Sequence, residues 1–203
     1  MASIAFISLG CDKNLVDSEV MIGILGRAGF DITSDESKAD IIVVNTCCFI
    51  KDALEESIET IIEAAKYKTE GNCKGIIVAG CLGQRYKDEM FDEMPEVDAI
   101  IGTASLEKIA DAAREVMEGH KVEIMESIDK PLADESGLLR ELSSAGHFAY
   151  LKIAEGCDNH CTYCIIPKLR GKYRSRNMDS LIEESKQLAE RGVKELVLVA
   201  QDT

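Results

Sequence analysis

Residues 41–47 read Ile-Ile-Val-Val-Asn-Thr-Cys, and residues 75–81 read Gly-Ile-Ile-Val-Ala-Gly-Cys. Neither run alternates with polar residues as a half-exposed strand would, so Ile41–Asn45 and Gly75–Ala79 are predicted as short strands covered on two faces. Working outward, Ser3–Leu9 is a β-rich run leading through Gly10 to Cys11, and Val97–Ile101 makes a fourth strand. Helical periodicity fills the gaps: about Asn14–Ala28, closed by Gly29; Lys51–Tyr67; about Leu82–Met94; and Ser105–Glu118, opening on Ser105 as its capping residue. Four strands alternating with four helices predict an α/β fold with a parallel sheet covered on both faces.

The regularity breaks over 121–146. Glu123, Glu126, Asp129, Pro131, Asp134, Glu135 and Gly137 there predict an acidic, irregular linker. A new strand, His147–Ala154, runs into Gly156-Cys157; Asp179–Arg191 is a helix ended by Gly192, and Glu195–Ala200 reads as another buried strand. Two parallel strands are too few for an independent domain. The expected organisation is an α/β domain over 1–120, a linker over 121–146 and the beginning of a second domain over 147–203, together the front part of a longer protein.

Composition removes whole classes of function. The 203 residues carry 37 acidic and 23 basic side chains, a formal charge of −14, with 46% hydrophobic residues. Those values exclude a disordered tail, a collagen-like fibre and a disulfide miniprotein. No apolar run reaches the roughly 20 residues that span a bilayer. So acidic a chain is poorly suited to gripping polyphosphate backbones over a broad surface, and better suited to a basic protein partner or a site with its own local field. The amino terminus has no basic region before its short apolar stretch, so it is not a signal peptide, and Ser8 spoils a lipoprotein reading of Leu9-Gly10-Cys11. A cytoplasmic location is expected, where eight reduced cysteines serve as metal ligands or catalysts rather than as disulfides.

Cys157-Asp-Asn-His-Cys161-Thr-Tyr-Cys164 can fold three sulfurs around one metal centre. Three thiolates on a four-iron cluster leave one iron free to bind a small molecule, and soft thiolates select zinc or iron–sulfur chemistry. Zinc is the weaker reading: His160 offers a fourth ligand, but no second knuckle follows. Cys11, Cys47 and Cys81 form a second trio, each just beyond a predicted parallel strand, at the sheet edge where ligands bind. Their bland alternative is three core-filling thiols. Cys48 could substitute for Cys47, and Cys73 is read as a bystander.

These motifs resemble a known family. The Cys-x3-Cys-x2-Cys run with Tyr163 before its last cysteine resembles the cluster motif of radical S-adenosylmethionine enzymes. Ser8-Leu-Gly-Cys11-Asp-Lys-Asn14-Leu-Val-Asp17-Ser18-Glu19, Asn45-Thr46-Cys47 and Ala79-Gly80-Cys81 resemble the amino-terminal cysteine motifs of the methylthiotransferases. Within that family, Gly10–Asn14 and the run Ile166–Arg176 look like the branch acting on ribosomal protein uS12 rather than the branch acting on a tRNA adenosine. Cys48 departs from the family, which usually has glycine there; Cys47 keeps the ligand role through its Asn-Thr-Cys context.

The resemblance implies a flavodoxin- or Rossmann-like amino-terminal domain, then a radical S-adenosylmethionine partial βα barrel and a small carboxy-terminal β-barrel, the TRAM domain, with the remainder of the partial barrel and the TRAM domain both absent from these 203 residues. It implies two [4Fe-4S] clusters, one on Cys11, Cys47 and Cys81 and one on Cys157, Cys161 and Cys164, the latter coupled to S-adenosyl-L-methionine. The reaction implied is methylthiolation of the β-carbon of a uS12 aspartate, with electrons from a donor such as flavodoxin or ferredoxin. Tyr163 either lies against the cofactor's adenine or packs its own loop, and Gln201 is a candidate for the cofactor's methionine end.

Three neighbouring features complete the reading. Lys168, Arg170, Lys172, Arg174 and Arg176 predict a local field for a cofactor or substrate carboxylate. Asn14, Asp17, Ser18 and Glu19 read as helix-capping and dipole-complementing residues. The rival classes are a tRNA methylthiotransferase, a non-catalytic iron–sulfur or zinc module docking on the ribosome, and a dithiol redox domain, which lacks the expected Cys-x2-Cys at its first strand end.

Overall fold

A computed structural model describes residues 1–132, 140–143 and 146–203. Strand β1 (Ser3–Ser8) leads into α1 (Asp12–Arg27), followed by β2 (Asp31–Thr33), β3 (Ile41–Thr46), α2 (Lys51–Glu70), β4 (Gly75–Gly80), α3 (Cys81–Glu93), β5 (Ala99–Ile101), α4 (Ile109–Met117) and β6 (Val122–Ile124). All six strands pair in parallel in the order β2-β1-β3-β4-β5-β6. This is the flavodoxin-like order with one further edge strand, so the α/β expectation holds.

The core explains the unalternating sequence of the central strands. Ile42, Val44, Ile76 and Val78 meet Ile61 and Ala64 of α2 and Leu82 and Met90 of α3 on one face. Ile41, Val43, Ile77 and Ala79 meet Met21 and Leu25 of α1 and Ile109, Ala113 and Val116 of α4 on the other. Every position along β3 and β4 is buried, because each faces a helix above or below. Each enclosed Ile or Val contributes roughly 1.5–3 kcal/mol of transfer free energy.

Three expectations require correction here. The sheet has two more strands than the sequence suggested: β2 is an exposed three-residue edge, and β6 pairs with β5 inside the stretch read as linker. The exposed Glu123 in β6 made an edge strand look like a loop. Ser105 does not cap a helix by its side chain; a single turn over Leu106–Lys108 precedes α4, and Ser105 Oγ instead accepts the Glu126 N–H at 2.9 Å. Of the acidic linker residues, Asp134, Glu135 and Gly137 lie outside the described residues.

The remaining elements are β7 (Phe148–Lys152), β8 (Ala154–Glu155), α5 (Ile166–Arg170), β9 (Arg174–Ser175), α6 (Met178–Glu190) and β10 (Glu195–Val199). β7 and β10 pair in parallel on either side of α6, over a small core of Ala149, Leu188 and Val193. β10 was expected to be buried, yet Leu198 is 61% exposed and only Val199 of the strand is enclosed.

This two-stranded sheet is supported from outside, since β7 packs against α1 and buried charge joins the two parts. Asp17 of α1 accepts from Lys152 at 2.5 Å and from Arg170 at 2.7 Å, and both cations also reach Glu155 at 3.3 Å. Beside it, Glu19 accepts from Arg140 Nε at 2.5 Å and from the Ser143 N–H and Oγ at 2.8 Å, while Arg140 and Arg176 share Glu184.

Burial alone would raise the Asp17 pKa, but Lys152 and Arg170 outweigh it and hold the carboxyl below its ordinary value. A depressed folded value gives stability that is complete above the unfolded pKa of about 4 and is lost as pH falls through the folded one. Asp17→Asn should therefore destabilise the protein at neutral pH by about 3–5 kcal/mol, the scale for breaking a buried pair. The gap to wild type should narrow below about pH 4. Thermal unfolding across that pH range checks both, and a gap independent of pH would count against the ionised pair.

Candidate metal centre

Where β1 and β3 adjoin, the order of connection reverses, and the loops leaving their carboxyl ends diverge to leave a crevice. Cys11 lies in the turn from β1 to α1, Cys47 immediately follows β3, and Cys81 opens α3 directly after β4. The three line one cavity of about 520 Å³, together with Lys13, Phe49, Arg170 and Gln201. Cys47 and Cys81 are buried and Cys11 is exposed, so the trio spans from the sheet edge to the cavity mouth.

Two glycines make this approach possible. Gly10 has φ +88°, and a Cβ there would stand 2.5 Å from Cys47 Cβ. Gly80, also at φ +88°, would set a Cβ 2.4 Å from Asn45 Oδ1 and 2.7 Å from the Thr46 carbonyl. Side chains then knit the strand ends. Asn14 Nδ2 donates to the carbonyls of Leu9 at 3.0 Å and Thr46 at 2.9 Å. Asn45 Nδ2 donates to the Asn14 carbonyl at 2.8 Å and to Ser18 Oγ at 2.9 Å. Thr46 Oγ1 donates to the Ala79 carbonyl at 2.6 Å and accepts the Leu82 N–H at 3.2 Å.

The Cys47–Cys48 pair separates by environment. Cys47 lines the cavity, whereas Cys48 belongs to the core and its thiol donates to the Cys81 carbonyl at 3.3 Å. Burial, with the neighbouring Cys81, pushes the Cys48 thiol up to about 11. Cys73 is likewise a core thiol, bonded to the Gly75 carbonyl and pushed up by burial. Burial also raises Cys81, but the Arg170 guanidinium beside it opposes that rise.

The second trio is more open. Cys161 and Cys164 line a cavity of about 540 Å³ with His160, Tyr163 and Lys168. Cys157 does not line that cavity: it is buried, its Sγ accepts from Asn159 Nδ2 at 3.5 Å and lies 3.6 Å from Asp202 Oδ2. Tyr163 is 88% exposed, so it does not pack its own loop. Gln201 borders the first cavity rather than the second, held by the Gly156 N–H at 3.0 Å and by its own donation to Glu155 at 2.6 Å. Phe49 lines both cavities, which therefore adjoin.

The basic run after Cys164 does not act as one field. Arg170 and Arg176 are buried in ion pairs, and Arg174 donates to the carbonyls of Lys130 and Arg170 at 2.6 Å. Only Lys168 and Lys172 are left exposed. Asn14, Asp17, Ser18 and Glu19 likewise are not surface caps; all four are buried. The sequence held a signal for this: Asn14, Asp17 and Ser18 share the helical stripe that continues through Met21 and Leu25, and a stripe so continued faces inward.

The donor sets suit clusters better than single ions. Among the described residues, the one trio of candidate ligand atoms gathered within 4.8 Å of one another is Glu115, Glu118 and His120 on the surface, with no cysteine in it. Three thiols around a roomy cavity fit a multi-iron cluster, in which each thiolate binds a different iron and the sulfurs stand further apart than the ligands of one ion.

Comparison with known proteins finds two family matches. Residues 3–102 match the model of the uncharacterized protein family UPF0004, and residues 151–203 match that of the Radical SAM superfamily. The chain is 58% identical over 200 residues to ribosomal protein uS12 methylthiotransferase RimO of Lachnoclostridium phytofermentans, covering 98% of this chain and 45% of that one. It is 53% identical to the proteins of the same name from Pelotomaculum thermopropionicum and Clostridioides difficile, again over 45% of their length. By sequence the chain matches the amino-terminal part of the RimO-like methylthiotransferases.

This RimO-like chain spans a little under half the length of those relatives. In fold it is similar to the cobalamin-dependent S-adenosylmethionine radical enzyme OxsB, with a TM-score of 0.60 at 12% identity over 99% of this chain and 34% of that one. No helix among the described residues is long and apolar enough to cross a membrane.

The thiol environments predict an order of reactivity in the metal-free, reduced protein. Cys11 and Cys161 should alkylate first, and Cys48 and Cys73 last, by at least about tenfold at neutral pH, because a buried thiol with a raised pKa offers little thiolate. Peptide mass spectrometry after brief iodoacetamide treatment reads the order. Labelling of Cys48 as fast as Cys47 would contradict its place in the core.

Proposed function

We propose that this chain forms the amino-terminal part of a radical S-adenosylmethionine methylthiotransferase that modifies an aspartate of ribosomal protein uS12 at its β-carbon, giving 3-methylthioaspartate. The observation that carries the reading is a cavity lined by Cys11, Cys47 and Cys81 that adjoins, across Phe49, a second lined by Cys161 and Cys164. Curated relatives that share this sequence at 50–58% identity are named for the uS12 reaction, which favours it over modification of a tRNA adenosine.

In this reading Cys11, Cys47 and Cys81 hold one [4Fe-4S] cluster, and Cys157, Cys161 and Cys164 hold the other. Bound together, the second cluster and S-adenosyl-L-methionine supply one-electron chemistry able to break an unactivated C–H bond. The chain's own residues arrange the reactants. Asn14, Asn45 and Thr46 fix the turns that aim Cys11, Cys47 and Cys81 into one crevice. Exposed Tyr163 is placed to lie on a flat ring entering the second cavity. Gln201 braces Gly156 and Glu155 behind Cys157, so it shapes the cofactor loop rather than only binding the cofactor. An acidic chain suits a basic ribosomal protein as substrate. The setting is cytoplasmic, and flavodoxin or ferredoxin serves as electron donor.

The test uses the full-length protein that contains this chain, reconstituted without oxygen. About eight irons per wild-type chain, falling to about four when Cys157, Cys161 and Cys164 are all changed to Ala, are expected for two separate four-iron clusters. With S-adenosylmethionine, sulfide, reductant and uS12, mass spectrometry should find a methylthio group on a single aspartate, and none with the triple variant. Zinc in place of iron, or a methylthio group on tRNA alone, would overturn the reading.

A further inference from the structure

We propose that Arg170 is a positioning residue for the Cys11/Cys47/Cys81 centre, linking it mechanically and electrically to the loop that carries Cys157, Cys161 and Cys164. The inference rests on the cluster reading above. Arg170 ends α5, which begins two residues after Cys164, yet its guanidinium is spent entirely on the amino-terminal part and on Glu155. One terminal nitrogen donates to Asn14 Oδ1 at 2.5 Å, and the other to Asp17 Oδ2 at 2.7 Å and Glu155 Oε2 at 3.3 Å.

Asn14 passes the constraint on. The amide whose oxygen accepts from Arg170 donates through its nitrogen to the carbonyls of Leu9 and Thr46, the residues just before Gly10-Cys11 and just before Cys47. A continuous path of short hydrogen bonds thus runs from the helix behind Cys164 to the turns of two amino-terminal cysteines. The third is reached directly, because Arg170 lines the same cavity as Cys81 and stands beside its thiol. A planar fork can hold Asn14 and Asp17 at once, whereas a lysine ammonium is a point charge on a shorter reach.

The charge matters as well as the shape. Asp17 and Glu155 are balanced by Lys152 and Arg170 in a site from which water is excluded. Removing Arg170 leaves two carboxylates facing one cation beside the thiolate centre, in surroundings that screen poorly. A fixed cation there favours the reduced, more negative state of a neighbouring cluster.

The full-length protein carrying Cys157/Cys161/Cys164→Ala isolates the first centre, and Arg170→Met and Arg170→Lys are compared in that background. Both variants should lose iron to a chelator several-fold faster than the parent, because neither can hold Asn14 and Asp17 together. Arg170→Met should also move the midpoint potential of the remaining cluster, read by EPR during redox titration, to a more negative value, while Arg170→Lys keeps it close to the parent's. Unchanged chelation rates and potentials in both would overturn the proposal. So would a lowered melting temperature with an unshifted potential in Arg170→Met, which marks a purely structural arginine. Should Arg170→Met fail to fold, the chelation rate of Arg170→Lys decides. A parent that takes up no iron would instead overturn the cluster reading itself.

Discussion

The buried set of Asp17, Glu155, Lys152 and Arg170 is the contact on which the rest of the arrangement depends. Two carboxylates and two cations taken out of water cost several kcal/mol each in desolvation, and only close mutual pairing offsets that. Such a set is weak as a source of net stability and strong as a source of register, because any sliding of the two parts would leave a buried charge without a partner. Here it fixes α1, which follows Cys11, against β7 and α5, which flank the second cysteine loop. Glu19, Arg140, Glu184 and Arg176 repeat the device further along α1.

This join also accounts for a β-α-β unit that could not stand alone. Two parallel strands and one helix enclose little apolar surface, and Leu196 and Leu198 of β10 remain exposed. What holds β7 is the side of α1, with its buried polar stripe turned toward Lys152 and Arg170. The same contact brings two cavities side by side, with Phe49 between them. Chemistry that needs a sulfur centre and a radical source at one carbon atom depends on such proximity more than on either cavity alone.

Chain charge and site charge follow different rules in this protein. The excess of acidic residues is spread over solvated helices, whereas the basic residues after Cys164 are largely folded inward. A run of five cations in nine residues reads as a field when taken as a string, but burial pairs Arg170 and Arg176 with carboxylates from distant parts of the chain. What remains of that run at the surface is Lys168 and Lys172.

The sequence by itself determined the parallel sheet, the positions of its central strands and the place of Cys11, Cys47 and Cys81 just beyond strand ends, because these depend on local periodicity and on the fixed direction of a βα repeat. It missed β2 and β6, since an edge strand of three residues buries too little to leave an apolar pattern. The Asn-Thr-Cys context set Cys47 apart from Cys48 in the sequence, but only packing shows Cys48 turned into the core and Cys47 on the cavity. Tertiary structure alone decided that Arg170 is the partner of Asn14 and Asp17, and Arg140 that of Glu19. Asn14 and Arg170 stand 156 residues apart, and no local rule links side chains whose meeting depends on how two distant stretches of the chain pack.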